Sequence, residues 1–189
     1  EISEKYDLQV LRFFMLSAHY RSPLNFSSDL MEAAKSGLDR IITATDNLKF
    51  LADNAKTDTL TNNEEDALTK TQDYVAAFEK AMDDDFNTAD AIAAIFDLVK
   101  YANTTANGDS SKAYVTALYE LIVKLADVLG IVVEKKEELL DADIEALIQE
   151  RQAARKERNF ARADEIRDEL LAKGIILEDT REGVKWKRA

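Results

Sequence analysis

Cationic side chains crowd the stretch from residue 151 to residue 167, and one aromatic side chain interrupts them. The cations are Arg151, Arg155, Lys156, Arg158, Arg162 and Arg167. Phe160 stands at the junction of two predicted helices. Single-stranded RNA requires this combination, because cations hold phosphates and a flat ring stacks an unpaired base. The pattern therefore indicates a surface for single-stranded RNA.

Two carboxylates extend this pattern. Asp164 follows Phe160 by one helical turn, and Asp179 ends a predicted strand. A carboxylate can accept hydrogen bonds from the amino group of a base, and arginine can donate two parallel bonds to a guanine edge. These residue types could therefore distinguish one base from another.

A second interpretation of the same residues requires no RNA. Glu157, Glu165 and Glu169 could form surface ion pairs with the arginines, each contributing little to stability. Phe160 could be a core residue. Residue types and spacing alone leave both interpretations open.

The acidic run before residue 88 resembles the opening of a calcium loop only in part. Asp83, Asp85 and Asn87 would fall at ligand positions 1, 3 and 5. Thr88 stands where the loop needs glycine, and Ala94 where it needs a bidentate carboxylate. We therefore expect no metal site, and a local role for Asn87 as a helix N-cap.

His19 is the only histidine, and the chain has no cysteine. These counts exclude a thiolate site and a multi-histidine metal site. No nucleophile motif accompanies His19, so we expect a hydrogen-bonded structural residue there and no catalytic residue. The absence of cysteine is consistent with a reducing cytoplasm, which is the localisation we expect.

Charge is distributed unevenly along the 189 residues. The net charge is −12, but residues 151–189 hold 11 of the 25 Lys and Arg against 8 of the 37 Asp and Glu. That segment is therefore +3, and the preceding 150 residues are −15. An acidic body repels nucleic acid, so we expect RNA contacts to concentrate in the C-terminal segment. No run of 18 apolar residues is present, so we expect no membrane partner.

Helical periodicity dominates the chain, and it predicts a mainly α fold in which an antiparallel helical bundle precedes a small helix–helix–β-hairpin module. The predicted helices are Tyr6–Ala18, 29–52, Glu64–Asp83, 88–106, Ser110–Leu129, Ala142–Glu157 and Phe160–Lys173. In the first helix Leu8, Leu11, Met15 and Ala18 form one apolar stripe, with Val10 and Phe14 beside it, and this breadth predicts burial on more than one side. Residues 107–109 are expected to end the fourth helix with a left-handed cap, and Gly130 and Gly174 to end later helices. Asn159 is expected to cap the helix that begins at Phe160. Strands at 175–179 and 184–187 should be joined by a four-residue turn.

Three segments together resemble bacterial cysteinyl-tRNA synthetases. They are residues 13–27 (FFMLSAHYRSPLNFS), residues 78–88 (FEKAMDDDFNT), and a C-terminal set formed by 151–156, 163–164, 174–179 and 186–188. The resemblance spans essentially the whole chain in the same order. It implies a stem-contact segment at 1–26, a helical bundle at 27–140 and an anticodon-recognition module at 141–189.

This family belongs to the class I aminoacyl-tRNA synthetases, which attach the amino acid in an ATP-dependent reaction. The two ATP-binding signatures of the class and the zinc ligands of the family are absent here. The resemblance therefore implies a fragment without catalytic residues, metal or cofactor of its own. It also implies a parent enzyme that uses ATP and zinc. The implied partners are tRNA(Cys) and the missing N-terminal catalytic domain, and we expect a monomer.

Carried over position by position, the resemblance assigns roles in the anticodon site. Arg155, Asp164 and Asp179 match base-contacting positions, and Phe160 occupies the position of an aromatic stacker. Lys156 and Arg158 would hold phosphates. Trp186 would pack the hairpin onto the helices, with stacking on a base as the alternative.

Two alternatives remain at this stage. One is a helical protein–protein adaptor bundle without an RNA role. The other is the related cysteine-ligating enzyme of mycothiol synthesis, against which the basic module from Arg155 to Lys187 argues, since that enzyme lacks an RNA-reading module.

Overall fold

A computed structural model of the chain describes residues 5–133, 142–157, 159–180 and 183–188. The chain divides into two compact units, Glu1–Lys135 and Lys136–Ala189. The described part is mainly α-helical, with one antiparallel β-hairpin in the second unit. This agrees with the predicted fold class.

Five described helices build the first unit. They are α1 (Leu8–Leu16), α2 (Ser28–Asp53), α3 (Asn62–Asp83), α4 (Thr88–Thr105) and α5 (Lys112–Val128). Each begins after a polar residue whose side chain accepts a hydrogen bond from a backbone N–H in the first turn. These residues are Asp7, Ser27, Thr61, Asn87 and Ser111. The N-cap predicted at Asn87 is confirmed, and the start of each helix is stabilised by about 1 kcal/mol in this way.

The orientation of α1 agrees with the prediction only in part. Val10, Phe13 and Phe14 are buried, whereas Leu8 and Met15 are 63% and 61% exposed. The prediction of burial is therefore confirmed for Val10 and Phe14 and wrong for Leu8 and Met15. The helix is apolar on both sides, so periodicity does not choose between them. Ring contacts accompany the observed orientation, because Phe13 and Phe14 make edge-on contacts with Phe96 and Phe26.

The left-handed cap predicted at residues 107–109 is wrong, although the helix does end just before them. The helix ends at Thr105, and the following residue, Ala106, has an extended backbone with φ −80°. The described glycines with left-handed backbones are Gly130 (φ 64°) and Gly174 (φ 75°), which follow α5 and the second helix of the C-terminal unit. The helix ends predicted at these two positions are confirmed.

We expect Gly130→Ala to lower the free energy of unfolding of the first unit by about 2 kcal/mol. A left-handed backbone costs an L-residue about 1–2 kcal/mol. The added Cβ would also meet the guanidinium of Arg12, which donates a hydrogen bond to the Gly130 carbonyl at 3.1 Å. Urea unfolding followed by circular dichroism measures the loss.

Arg12→Ala supplies the matched background for this test. In that background Gly130→Ala should retain only the backbone cost, because the displaced hydrogen bond is already absent. An identical loss in both backgrounds would contradict the role assigned to Arg12.

The second unit contains two helices and two strands, α6 (Ala142–Lys156), α7 (Phe160–Ala172), β1 (Ile175–Thr180) and β2 (Gly183–Arg188). Asn159 caps α7, as predicted. Its small core comprises Ile166, Leu170, Ile175 and Leu177, against which Leu147, Ile148 and Trp186 pack. Trp186 thus packs the hairpin onto the helices, in agreement with the prediction.

The hairpin is one pair longer than predicted at each of its two ends. Ile175 is opposite Arg188, and Thr180 is opposite Gly183. Two residues therefore connect the strands, where the sequence had suggested four. None of the helices in the described ranges is both long and apolar enough to cross a membrane.

Candidate nucleic-acid interface

A tight connection brings the end of α6 next to the start of α7. The backbone N–H of Asn159 donates to the Ala154 carbonyl at 2.8 Å, and the Asn159 side chain accepts from the N–H of Arg162 at 3.3 Å. Arg155 and Lys156 occupy the last turn of α6 and are both exposed. The connection therefore places two cations beside the first turn of α7.

Phe160 is the first residue of α7, and its side chain is 61% exposed. The buried residues of the helix, Ala163, Ile166 and Leu170, lie on another side. The alternative that Phe160 is a core residue is therefore wrong. An exposed ring of this size is available for stacking on a flat partner.

Asp164 lies one turn beyond Phe160 and is exposed. Among the described residues, neither Asp164 nor Lys156 forms an ion pair or a side-chain hydrogen bond. Asp179 belongs to β1, where its backbone is opposite Val184. The side chain of Asp179 and the whole of Arg158 lie outside the described part of the structure.

Two arginines of the predicted cationic cluster are held within the second unit: one is buried, and the other pairs with two carboxylates. Arg151 is buried, with 4% of its surface exposed. Arg162 donates to Glu150 of α6 at 2.9 Å and to Glu165 at 3.2 Å. These hydrogen bonds, the one to Glu150 first, raise the pKa of Arg162 above its usual range. The ion-pair interpretation therefore holds for Arg162, which ties α6 to α7, whereas Glu169 pairs with Lys173.

The exposed face of α7 is longer than the two residues singled out from the sequence. Phe160, Asp164, Arg167 and Leu171 are spaced four, three and four residues apart, and all four are exposed. This spacing places them on one side of a helix. The same count applied to the sequence would have included Arg167 and Leu171.

The histidine of the first unit lies in a surface network. Asp85 accepts hydrogen bonds from the Tyr20 hydroxyl at 2.9 Å and from Arg21 at 3.1 Å. His19 stacks on Tyr20, and its Nδ1 accepts from the backbone N–H of Arg21 at 3.2 Å. The hydrogen bond to Asp85 raises the pKa of Tyr20. The contacts give His19 a structural role, in agreement with the prediction.

Asn87, which follows the acidic run, makes local contacts at the start of α4. The Asn87 side chain accepts from the N–H of Asp90 at 3.2 Å and donates to its carboxylate at 2.8 Å. Within the described ranges, no cluster of three His, Cys, Asp or Glu is arranged to hold a metal ion.

Comparison with known proteins gives two family matches in adjacent parts of the chain. Residues 77–134 match the family described as DALR domain. Residues 137–186 match the family described as cysteinyl-tRNA ligase anticodon binding domain. The second match covers α6, α7 and most of the hairpin.

Over its whole length, the chain is 64% identical to cysteine–tRNA ligase of Lachnospira eligens. It is 52% identical to the enzymes of the same name from Lachnoclostridium phytofermentans and Lysinibacillus sphaericus, again over the whole chain. The chain belongs to the cysteine–tRNA ligase family. It spans 40% of the length of the first of these ligases and 41% of the second.

In this member of the cysteine–tRNA ligase family, the exposed residues at the junction of α6 and α7 lie inside the segment that matches the anticodon binding domain. They are Arg155, Lys156, Phe160 and Asp164. The match and the exposed junction of α6 and α7 both point to residues 137–186 as the place to test for RNA contacts.

Proposed function

We propose that this chain is the tRNA-binding part of a longer cysteine–tRNA ligase, and that it recognises the GCA anticodon of tRNA(Cys). In this proposal residues 1–26 contact the tRNA stem, residues 27–140 form a spacing bundle, and residues 141–189 read the anticodon. The observation that supports it most directly is the exposed Phe160 ring beside Lys156 and Asp164, two exposed charges without ion-pair partners among the described residues.

Each side chain has a role that follows from its chemistry. Phe160 stacks an unpaired base, and Arg155 donates two hydrogen bonds to the guanine edge. Asp164 and Asp179 accept hydrogen bonds from the amino groups of cytosine and adenine. Lys156 and Arg158 neutralise phosphates.

The chemical reaction belongs to the part of the longer ligase that this chain does not include. That part would use ATP and zinc to activate cysteine and transfer it to tRNA. The helical bundle would hold the anticodon at a fixed distance from that centre, because misplacement of the acceptor end lowers the rate of transfer. We propose a monomeric, cytoplasmic enzyme with tRNA(Cys) and its own catalytic domain as partners.

Phe160→Ala is expected to weaken binding of an anticodon stem-loop about 5- to 150-fold. This range corresponds to the loss of one stacked base, worth about 1–3 kcal/mol. The measurement is a fluorescence titration of a labelled stem-loop carrying GCA with the complete 189-residue chain. Low ionic strength is needed because the net charge of −12 opposes RNA.

Phe86→Ala is the matched control for Phe160→Ala. Phe86 is 66% exposed and lies in the first unit, so its loss should leave affinity for the stem-loop unchanged. Phe160→Trp should bind at least as well as the unsubstituted chain. Equal affinity of Phe160→Ala and the unsubstituted chain, or an absence of stem-loop binding altogether, would favour the adaptor without an RNA role.

A further inference from the structure

One face of α7 remains exposed beyond the residues assigned above. Phe160 and Leu171 lie at its ends and are 61% and 55% exposed, with Asp164 and Arg167 between them. The small core of the unit is built from another side of the helix, through Ile166 and Leu170. The face therefore presents two apolar side chains and two charges of opposite sign to solvent.

Arg167 differs from Arg162 in the same helix and from Lys173 directly after it. Arg162 is held by two carboxylates, and Lys173 pairs with Glu169 at 3.1 Å. Among the described residues, Arg167 forms neither an ion pair nor a side-chain hydrogen bond. Its guanidinium is therefore available to a ligand without loss of an existing contact.

We propose that the bound RNA strand continues from Phe160 along this face of α7, that Arg167 binds a backbone phosphate, and that Leu171 packs against the adjoining nucleoside. This inference rests on the proposed function, because it extends the same binding site. It makes Arg167 a positioning residue and places the strand along α7 from Phe160 toward Leu171. A guanidinium suits this role, since it binds phosphate oxygens in pairs.

The dimensions of the face suit a single strand. Seven residues separate Phe160 from Arg167, which is about 10.5 Å along a helix. Stacked nucleotides advance about 3.4 Å each, so this interval spans about three of them. Helical side chains also lean toward the N-terminus of their helix, which brings the Arg167 guanidinium toward Asp164 and the nucleotides beside it.

Arg167 also offsets the negative charge of neighbouring carboxylates on α7. Asp164 and Asp168 are both exposed next to it. Without Arg167, a phosphate in this place would meet two carboxylates and no cation. Like charges within a few ångströms repel, so the strand can follow α7 only if Arg167 offsets them.

The test is a titration of the GCA stem-loop with Arg167→Gln across a range of salt concentrations. We expect about 10-fold weaker binding at low salt, and a salt slope reduced by about 0.7–0.9, as for the loss of one phosphate contact. Arg167→Lys should keep the salt slope. Lys173→Gln, which removes a paired cation from another side of α7, should bind like the unsubstituted chain.

A stem-loop with a changed anticodon separates a phosphate contact from base reading. The loss on Arg167→Gln should be the same for both loops, and a loss confined to GCA would overturn the phosphate assignment. Arg167→Gln with unchanged affinity and unchanged salt slope would overturn the proposed path of the strand. If Phe160→Ala still weakens binding in that case, the proposed function stands. Failure of the unsubstituted chain to bind any stem-loop overturns both proposals.

Discussion

Leu170→Ala is expected to unfold the second unit while the first unit remains folded, and to abolish stem-loop binding. Leu170 is completely buried in a core of four buried residues. Removing a buried leucine side chain costs about 2–5 kcal/mol. A unit of this size has only about 3–5 kcal/mol of stability in total, so a single cavity is enough to unfold it.

Nuclear magnetic resonance spectra resolve the two units. Amide signals of residues 142–188 should collapse to the narrow range of an unfolded chain, whereas those of residues 5–133 should stay dispersed. Apparent affinity for the stem-loop should fall in proportion to the fraction of molecules in which the second unit is folded.

Leu171→Ala is the matched control for this substitution. It removes the same atoms from the next residue, but Leu171 is 55% exposed and outside the core. The second unit should therefore remain folded. Loss of signals from both units in Leu170→Ala would show that the two compact units unfold together, contrary to this prediction.

Helix ends were the most predictable part of the fold. Asn87 and Asn159 were predicted to begin helices and do so, because a side-chain acceptor for the first-turn N–H groups is a local property. Gly130 and Gly174 end helices for an equally local reason, the left-handed backbone. These helix ends depend on residues that are close together in the sequence, so they can be predicted without knowledge of the packing.

Features that depend on tertiary packing, such as which side of a helix is buried, were less predictable. In α1 the apolar surface is broad, so the sequence could not show that Leu8 and Met15 would be exposed while Val10 and Phe14 are buried. The turn before α4 contains two consecutive left-handed residues, Asp85 and Phe86, neither of which is glycine. Tertiary contacts hold such backbones, and sequence spacing does not reveal those contacts.

The candidate site shows the same division. Phe160 and Asp164 are exposed, and their roles toward RNA stay predictions, whereas the structure separates arginines that the sequence had grouped together. Arg162 meets Glu150, twelve residues earlier and on a different helix, and Arg151 is buried. Counting residues along one helix could neither identify Glu150 as the partner of Arg162 nor show that Arg151 is buried.

Glu64→Ala is expected to lower the free energy of unfolding of the first unit by about 3 kcal/mol, because its carboxylate serves the N-termini of two helices. One oxygen accepts from the Thr61 N–H at 2.8 Å and from the Thr61 hydroxyl at 2.9 Å. The other accepts from the Ser111 N–H at 2.8 Å, at the start of α5. Ser111 is buried, so an unpaired N–H there costs about 1–3 kcal/mol, in addition to the lost cap of α3.

Two variants make this prediction specific. Glu65→Ala removes an exposed carboxylate from the same first turn of α3 and should cost less than about 0.5 kcal/mol. Glu64→Gln keeps a side-chain oxygen for one N–H and should be intermediate. A loss in Glu65→Ala equal to that in Glu64→Ala would mean that charge near the helix end matters and the two specific hydrogen bonds do not.

The pH dependence of the free energy of unfolding tests the same hydrogen bonds through the protonation of Glu64. Burial raises the pKa of Glu64, but the hydrogen bonds from the Ser111 and Thr61 backbone N–H groups outweigh it, so the pKa in the folded protein is below its usual range. The unfolded chain binds this proton at a pKa of about 4.3. The stabilisation is therefore complete above that pH and is lost as the pH falls through the folded-state pKa. Glu64→Gln should show a shallower loss of stability between neutral and acidic pH than the unsubstituted chain, and parallel curves would exclude the carboxylate as the group that titrates.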